Sequence, residues 1–222
     1  MKKFTAIFGA FLLLFGLSTA ASAYTINYLY NTNGNEFTSP YAGVITEKFE
    51  GGTLGGFTGL PWAWTGNGAV RQGDISGVAS APFGVFEKDT SKYMAVPINV
   101  NNIPQSVLVT NLGGTYNYFG LWWGSVDTYN TLSFYKSGGL VESFDGTAIT
   151  NPNAANGNQT APSTNLYVNF LDLPLFDSFQ MTSTQYAFEA DNIAIGAVPE
   201  PTTMLLLGLG LVGLAGVRRF KK

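Results

Sequence analysis

Tyr186-Ala187-Phe188-Glu189-Ala190-Asp191-Asn192-Ile193-Ala194-Ile195 sets the architecture of this chain. Apolar and polar residues alternate along it with the two-residue period of a strand whose faces see different surroundings. Tyr186, Phe188 and Ala190 share one parity, whereas Ile193 and Ile195 occupy the other. A regular strand cannot place both sets on one face. One extra residue near Asp191-Asn192 reunites them, so the sequence predicts a β-bulge there.

The same alternation recurs upstream. Asp177-Ser178-Phe179-Gln180-Met181-Thr182 repeats it cleanly, and Tyr24-Thr25-Ile26-Asn27-Tyr28 follows it as well. Further strands are expected over Val44–Phe49, Tyr93–Val100, Ser106–Leu112, Tyr116–Gly124, Thr131–Tyr135, Leu140–Phe144 and Leu166–Phe170. Turn residues stand between them, among them Gly51-Gly52, Asn111-Leu112-Gly113-Gly114, Lys136-Ser137-Gly138-Gly139 and Asp145-Gly146. No apolar period of 3.6 is sustained in the body of the chain. Short strands with hairpin punctuation imply one all-β domain, an antiparallel β-sandwich of the jelly-roll kind. Two stretches, Gly51–Gly77 and Thr150–Thr164, break the pattern and are expected to be surface loops.

Composition removes many chemistries. The 222 residues include no Cys and no His, so disulfides, thiolate nucleophiles, Ser-His-Asp triads and the usual zinc sites are all excluded. Between Tyr24 and Ala197 five cations face thirteen acids, a balance of −8, because six of the eleven basic residues lie in the two ends. Such a body repels polynucleotides, so no nucleic-acid partner is expected.

Both ends carry their own signals. Lys2-Lys3, the uncharged apolar run Phe4–Leu17 and the small-residue pattern Ala21-Ser22-Ala23 have the form of a signal peptide. Signal peptidase is expected to cut after Ala23, leaving residues 24–197 as the β-sandwich domain of an exported protein. At the other end, residues 198–222 contain Val198-Pro199-Glu200-Pro201, an apolar and glycine-rich run from Met204 to Val217, and Arg218-Arg219-Phe220-Lys221-Lys222. Such a run reaches about 21 Å as a helix, so a thin transmembrane span needs Thr202, Thr203 and snorkelling basic side chains as well. The terminal cations would stay cytoplasmic, placing the body outside.

This tripartite tail resembles the PEP-CTERM sorting signal, also called the ice-binding protein C-terminal domain. In that family the tail is recognised by exosortase, an inner-membrane enzyme. Its bearers are linked to exopolysaccharide and biofilm production in Gram-negative bacteria. The resemblance implies a precursor held briefly in the inner membrane, then processed near Pro199-Glu200-Pro201 and passed to the cell surface or extracellular matrix. Pro199 and Pro201 hold that stretch extended, Glu200 offers a charge for recognition, and Arg218 and Arg219 fix topology. Phe188-Glu189-Ala190-Asp191-Asn192 and Tyr118–Tyr135 also resemble stretches of exosortase-sorted proteins, including their Phe-x-x-Asp-Asn motif.

Within the body the favoured expectation is a non-catalytic surface protein. Trp62 and Trp64 in a Gly-rich loop, and Trp122 and Trp123 on a strand, are candidate sugar-stacking residues, which keeps a carbohydrate-binding module open. Adjacent strand residues point to opposite faces, so Trp122 and Trp123 read first as one core residue and one covered by a loop. Asp127 and Asp191, with Asp89 and Asn192, supply oxygen donors for a structural calcium ion; no other cofactor is implied. Asp191-Asn192 equally suits the donors of the bulge. A glycosidase using two carboxylates is the third class, because that chemistry needs neither His nor Cys.

Overall fold

The computed structural model describes residues 24–29, 37–50, 60–99, 101, 103–150 and 158–197. The expected signal peptide, the Pro199-Glu200-Pro201 motif, the C-terminal helix and Arg218-Arg219 lie outside the described residues, and so do residues 51–59 and 151–157 of the two expected loops. Among the described residues no helix is long and apolar enough to cross a membrane.

The described residues form twelve strands and one short helix: β1 (Thr25–Leu29), β2 (Ile45–Glu47), β3 (Ala63–Gly66), β4 (Ala69–Gln72), β5 (Lys92–Val96), β6 (Gln105–Thr110), β7 (Tyr118–Gly124), β8 (Asn130–Lys136), β9 (Gly139–Asp145), α1 (Gly146–Thr150), β10 (Leu166–Leu171), β11 (Ser178–Ser183) and β12 (Phe188–Gly196). They make two antiparallel sheets. The larger runs β1-β10-β7-β12-β5-β4, with β2 beside the far half of β12; the smaller runs β3-β6-β11-β8-β9.

Every strand expected from the sequence is present, with ends shifted by a few residues. The Gly51–Gly77 loop is corrected: Ala63–Gly66 and Ala69–Gln72 are strands, added to the edges of the two sheets beside β6 and β5. Gly66 makes the tight approach, with φ +110° and an added Cβ only 2.2 Å from the Ser106 carbonyl oxygen.

Between the sheets lies an aromatic core. Phe119 of β7 packs edge-on against Phe134 of β8 at 5.1 Å and Phe179 of β11 at 4.8 Å, which ties one sheet to the other. Edge-to-face ring pairs contribute about 0.5–1.5 kcal/mol each beyond the area they bury. β6 and β11 keep the alternation of a sheet with one wet face: Val107, Val109, Phe179 and Met181 point inward, while Ser106, Thr110, Gln180 and Thr182 are half-buried outside.

The larger sheet differs, because both of its faces are covered. Every residue of β7 is buried. Phe119, Leu121 and Trp123 face the core, whereas Tyr118, Gly120 and Trp122 lie beneath residues 37–44 and 73–91. Phe37 packs on Trp122 at 5.0 Å and Tyr41 on Tyr118 at 5.0 Å. Asn165 Oδ1 accepts from Phe83 N–H and Ser125 N–H, pinning the overlying segment to the strand ends.

The predicted bulge is present in β12. Asp191 lies opposite Trp122 but Ala194 opposite Gly120, so three steps on one strand match two on the other. Asn192 takes the extra place with φ 48°, a left-handed geometry that Asn tolerates better than most residues. Phe188, Ala190, Ile193 and Ile195 consequently all enter one core.

Candidate functional site

The covered face of the larger sheet carries carboxyl groups that are largely sealed from water. Glu189 and Asp191 project from β12 away from the aromatic core, and Asp89, Ser80 and Asp74 come down on them from the overlying segment. A strand residue that would ordinarily meet solvent is here sealed in by residues 73–91, which have only isolated bridges (Ile75 with Ala79, Phe83 with Lys88) to hold their shape.

Glu189 is 2% exposed. Its Oε1 accepts from Ser80 N–H at 3.0 Å, whereas Oε2 is buried without a hydrogen-bond partner among the described residues. Burial pushes this carboxyl well above the usual range; the Ser80 N–H pulls the other way, and the nearby Asp127 charge adds to the rise. Glu189 therefore holds its proton to higher pH than an exposed glutamate does. Gly124 stands opposite it, and an added Cβ there would meet Glu189 Cβ and Pro82 Cα at 3.1 Å.

Asp74 sits above with the opposite character. Lys88 Nζ donates to its Oδ2 at 2.6 Å, Ala81 N–H to its Oδ1 at 3.0 Å, and Ser80 Oγ to its Oδ1 at 3.3 Å. Partial desolvation raises this carboxyl, but the Lys88 ammonium and the Ala81 N–H outweigh it, and the net direction is down. Ser80 joins the two acids, its N–H on Glu189 and its hydroxyl on Asp74. A cavity of about 470 Å³ opens here, lined by both acids, Gln159, Tyr186, Ala187 and the turn Ile75–Ala79.

Asp191 forms the second half of the buried row. Its Oδ1 accepts from Asn192 N–H at 2.7 Å and its Oδ2 from Ser91 Oγ at 3.1 Å. Burial raises it strongly, and the adjoining Asp89 carboxyl raises it further. Asp89 Oδ1 accepts from Ser91 N–H at 2.8 Å and from the Ser91 hydroxyl. Asn192 Nδ2 donates to Phe37 O at 2.8 Å, and Tyr167 OH donates to Asn192 O at 3.0 Å. Asp191 and Asn192 thus satisfy the bulge and anchor the 37–44 segment.

The candidates named from sequence are redistributed. Trp123 is in the core, stacked on Phe188 at 4.3 Å with an interplanar angle of 13°, and Trp122 is buried under Phe37. Neither presents a face to a sugar. Trp62 is buried too, edge-on to Phe179 at 6.1 Å, instead of standing on a surface loop. Trp64, on β3, is half-buried against the core. Trp62, Trp122 and Trp123 are therefore interior residues, and Trp64 alone of the four keeps part of its surface exposed. Asp127, proposed for calcium, accepts from Tyr129 OH at 2.7 Å beside Glu189, while Asp191 and Asp89 both accept from the Ser91 hydroxyl. Among the described residues no group of three or more acids is placed to hold a metal ion.

The sequence reading missed Glu189, Asp74, Tyr186 and Gln159 as neighbours. One signal was available: Tyr118-Phe119-Gly120-Leu121-Trp122-Trp123-Gly124 is apolar at every position, which marks a strand covered on both faces. Acids on the adjacent strand are then buried acids.

Comparison with known proteins identifies the tail. Residues 197–219 match the PEP-CTERM protein-sorting motif. No curated protein and no solved structure matches the chain.

Proposed function

From a chain that carries a PEP-CTERM sorting motif at its C-terminal end, we infer an exported protein that exosortase recognises and delivers to the surface of a Gram-negative cell. Signal peptidase removes residues 1–23, the C-terminal segment holds the precursor in the inner membrane, and processing near Pro199-Glu200-Pro201 releases the β-domain to the surface or to an exopolysaccharide matrix. The single observation that carries this reading is the motif match, with Pro199-Glu200-Pro201, the apolar run and Arg218-Arg219 in the required order.

The body supports a non-catalytic role. β5, β12, β7 and β10 in one sheet and β6, β11, β8 and β9 in the other are the eight strands of a jelly roll, a scaffold common among extracellular binding modules. Of the two acids at the cavity, Asp74 is occupied by Lys88 and by the turn that it holds, which argues against its serving as a nucleophile or base. Replacing Pro199-Glu200-Pro201 by three alanines tests the sorting reading. The variant should accumulate as an uncut, membrane-bound form by immunoblot of cell fractions; processing unchanged from the parent would overturn it.

A further inference from the structure

We propose that the cavity over β12 binds an uncharged saccharide unit, seated on the ring of Tyr186 and held by Glu189, Asp74 and Gln159. The proposal rests on the reading of the protein as a matrix-associated surface protein, and it names the site and the ligand class for that role.

Three observations carry it. The cavity, about 470 Å³, falls within the roughly 300–1,000 Å³ typical of small-molecule sites. Its walls offer what a sugar ring requires: an aromatic side chain 39% exposed at the rim, an exposed amide, and carboxyl groups for hydroxyls. Glu189, which lines it, has a buried oxygen, Oε2, without a hydrogen-bond partner among the described residues, and a small turn of the carboxyl towards the cavity would let a hydroxyl or ring oxygen complete it.

Charge selects among ligands. Lys88 neutralises Asp74 at 2.6 Å and also donates to Ser80 Oγ at 2.9 Å, so a cation entering here would meet an ammonium already in place. Burial shifts Glu189 towards its protonated form, in which it can offer an O–H. An anion would meet the acidic body. A neutral polyhydroxyl compound is the class left, with Tyr186 stacking on its C–H face and Glu189 donating to an oxygen.

The test uses the full-length chain in detergent. Saturation-transfer NMR and calorimetric titration are run with neutral gluco-, galacto- and manno-configured disaccharides, digalacturonate and calcium chloride. Millimolar or tighter binding of at least one neutral disaccharide is expected. Tyr186→Ala should weaken it by tenfold or more while leaving the thermal transition near that of the parent. Glu189→Gln keeps a neutral donor and should bind within about threefold of the parent; Glu189→Leu should lose binding. If the Leu variant does not fold, the Tyr186→Ala and Gln results carry the test. No transfer to any neutral disaccharide, preference for digalacturonate, binding unaffected by Tyr186→Ala, or calcium uptake abolished by Glu189→Gln would each overturn the proposal. The sorting assay is independent of these outcomes. Normal processing without sugar binding sinks the inference alone, whereas sugar binding without processing sinks only the sorting reading.

Discussion

The buried acids make this protein lose stability as the medium becomes more alkaline. Glu189 and Asp191 have folded-state values raised well above the ordinary carboxylate range, burial being the main cause for both. An acid raised on folding binds more protons in the folded than in the unfolded state once pH passes its unfolded value, about 4. Stability then falls as pH climbs from there towards the folded value. Each extra bound proton contributes a slope of about 1.4 kcal/mol per pH unit, so the two together give about 2.7. For a domain of this size 1 kcal/mol moves the transition by roughly 2–4 °C, which places the single-group effect at about 3–6 °C per pH unit. The groups facing Glu189 are Asp127 and Lys88, with the Ser80 N–H; those facing Asp191 are Asp89 and Ser91. Asp74 and Asp145 act in the opposite sense, since their values are lowered, and the stability they contribute disappears as pH drops below about 4. Glu189→Gln retains the acceptor for Ser80 N–H and removes the titration. Scanning calorimetry upward from about pH 5 should show Tm falling with pH in the parent, and falling less steeply in Glu189→Gln. Asp191→Asn should remove a similar share. A parent Tm that is flat or rises over this window, or a slope unchanged in both variants, would refute the reasoning.

Other outcomes follow from packing and backbone geometry. Phe119→Ala removes the ring that contacts Phe134, Phe170, Phe176 and Phe179, and urea titration should record a loss of about 3–5 kcal/mol. Gly66→Ala places a methyl group 2.2 Å from the Ser106 carbonyl oxygen at a φ of +110°, and should cost about 1–3 kcal/mol by the same measurement, with near-ultraviolet circular dichroism reporting disturbance of the nearby tryptophans. The alanine triple at Pro199-Glu200-Pro201 should change cell fractionation and leave the Tm of the body unaltered, since those residues lie beyond the last strand.

The bulge was readable because its signature is local. Two apolar sets of opposite parity in one strand, with Asp191-Asn192 between them, leave a single geometric solution, and β12 adopts it. β3 and β4 were not readable, since four residues with Gly66 and Trp64 give no period to detect and owe their strand conformation to the edges of β6 and β5. The cavity was less legible still. Glu189 and Asp191 alternate with apolar residues as solvent-facing acids do. What buries them is a segment without regular secondary structure, some 100 positions earlier in the chain, as the Ser80–Glu189 and Ser91–Asp191 bonds show. Trp122 and Trp123 could be separated by parity alone, but the Phe37 lid over Trp122 could not.

β12 has a mechanical consequence for a precursor still held through its C-terminal segment. It is the last strand before the sorting motif, and it lies inside the sheet: β7 flanks one side along most of its length, while β5 and then β2 flank the other. A pull on the leash loads two ladders of hydrogen bonds at once instead of peeling a border strand. The β-domain should therefore resist unfolding when force enters through its C-terminal end.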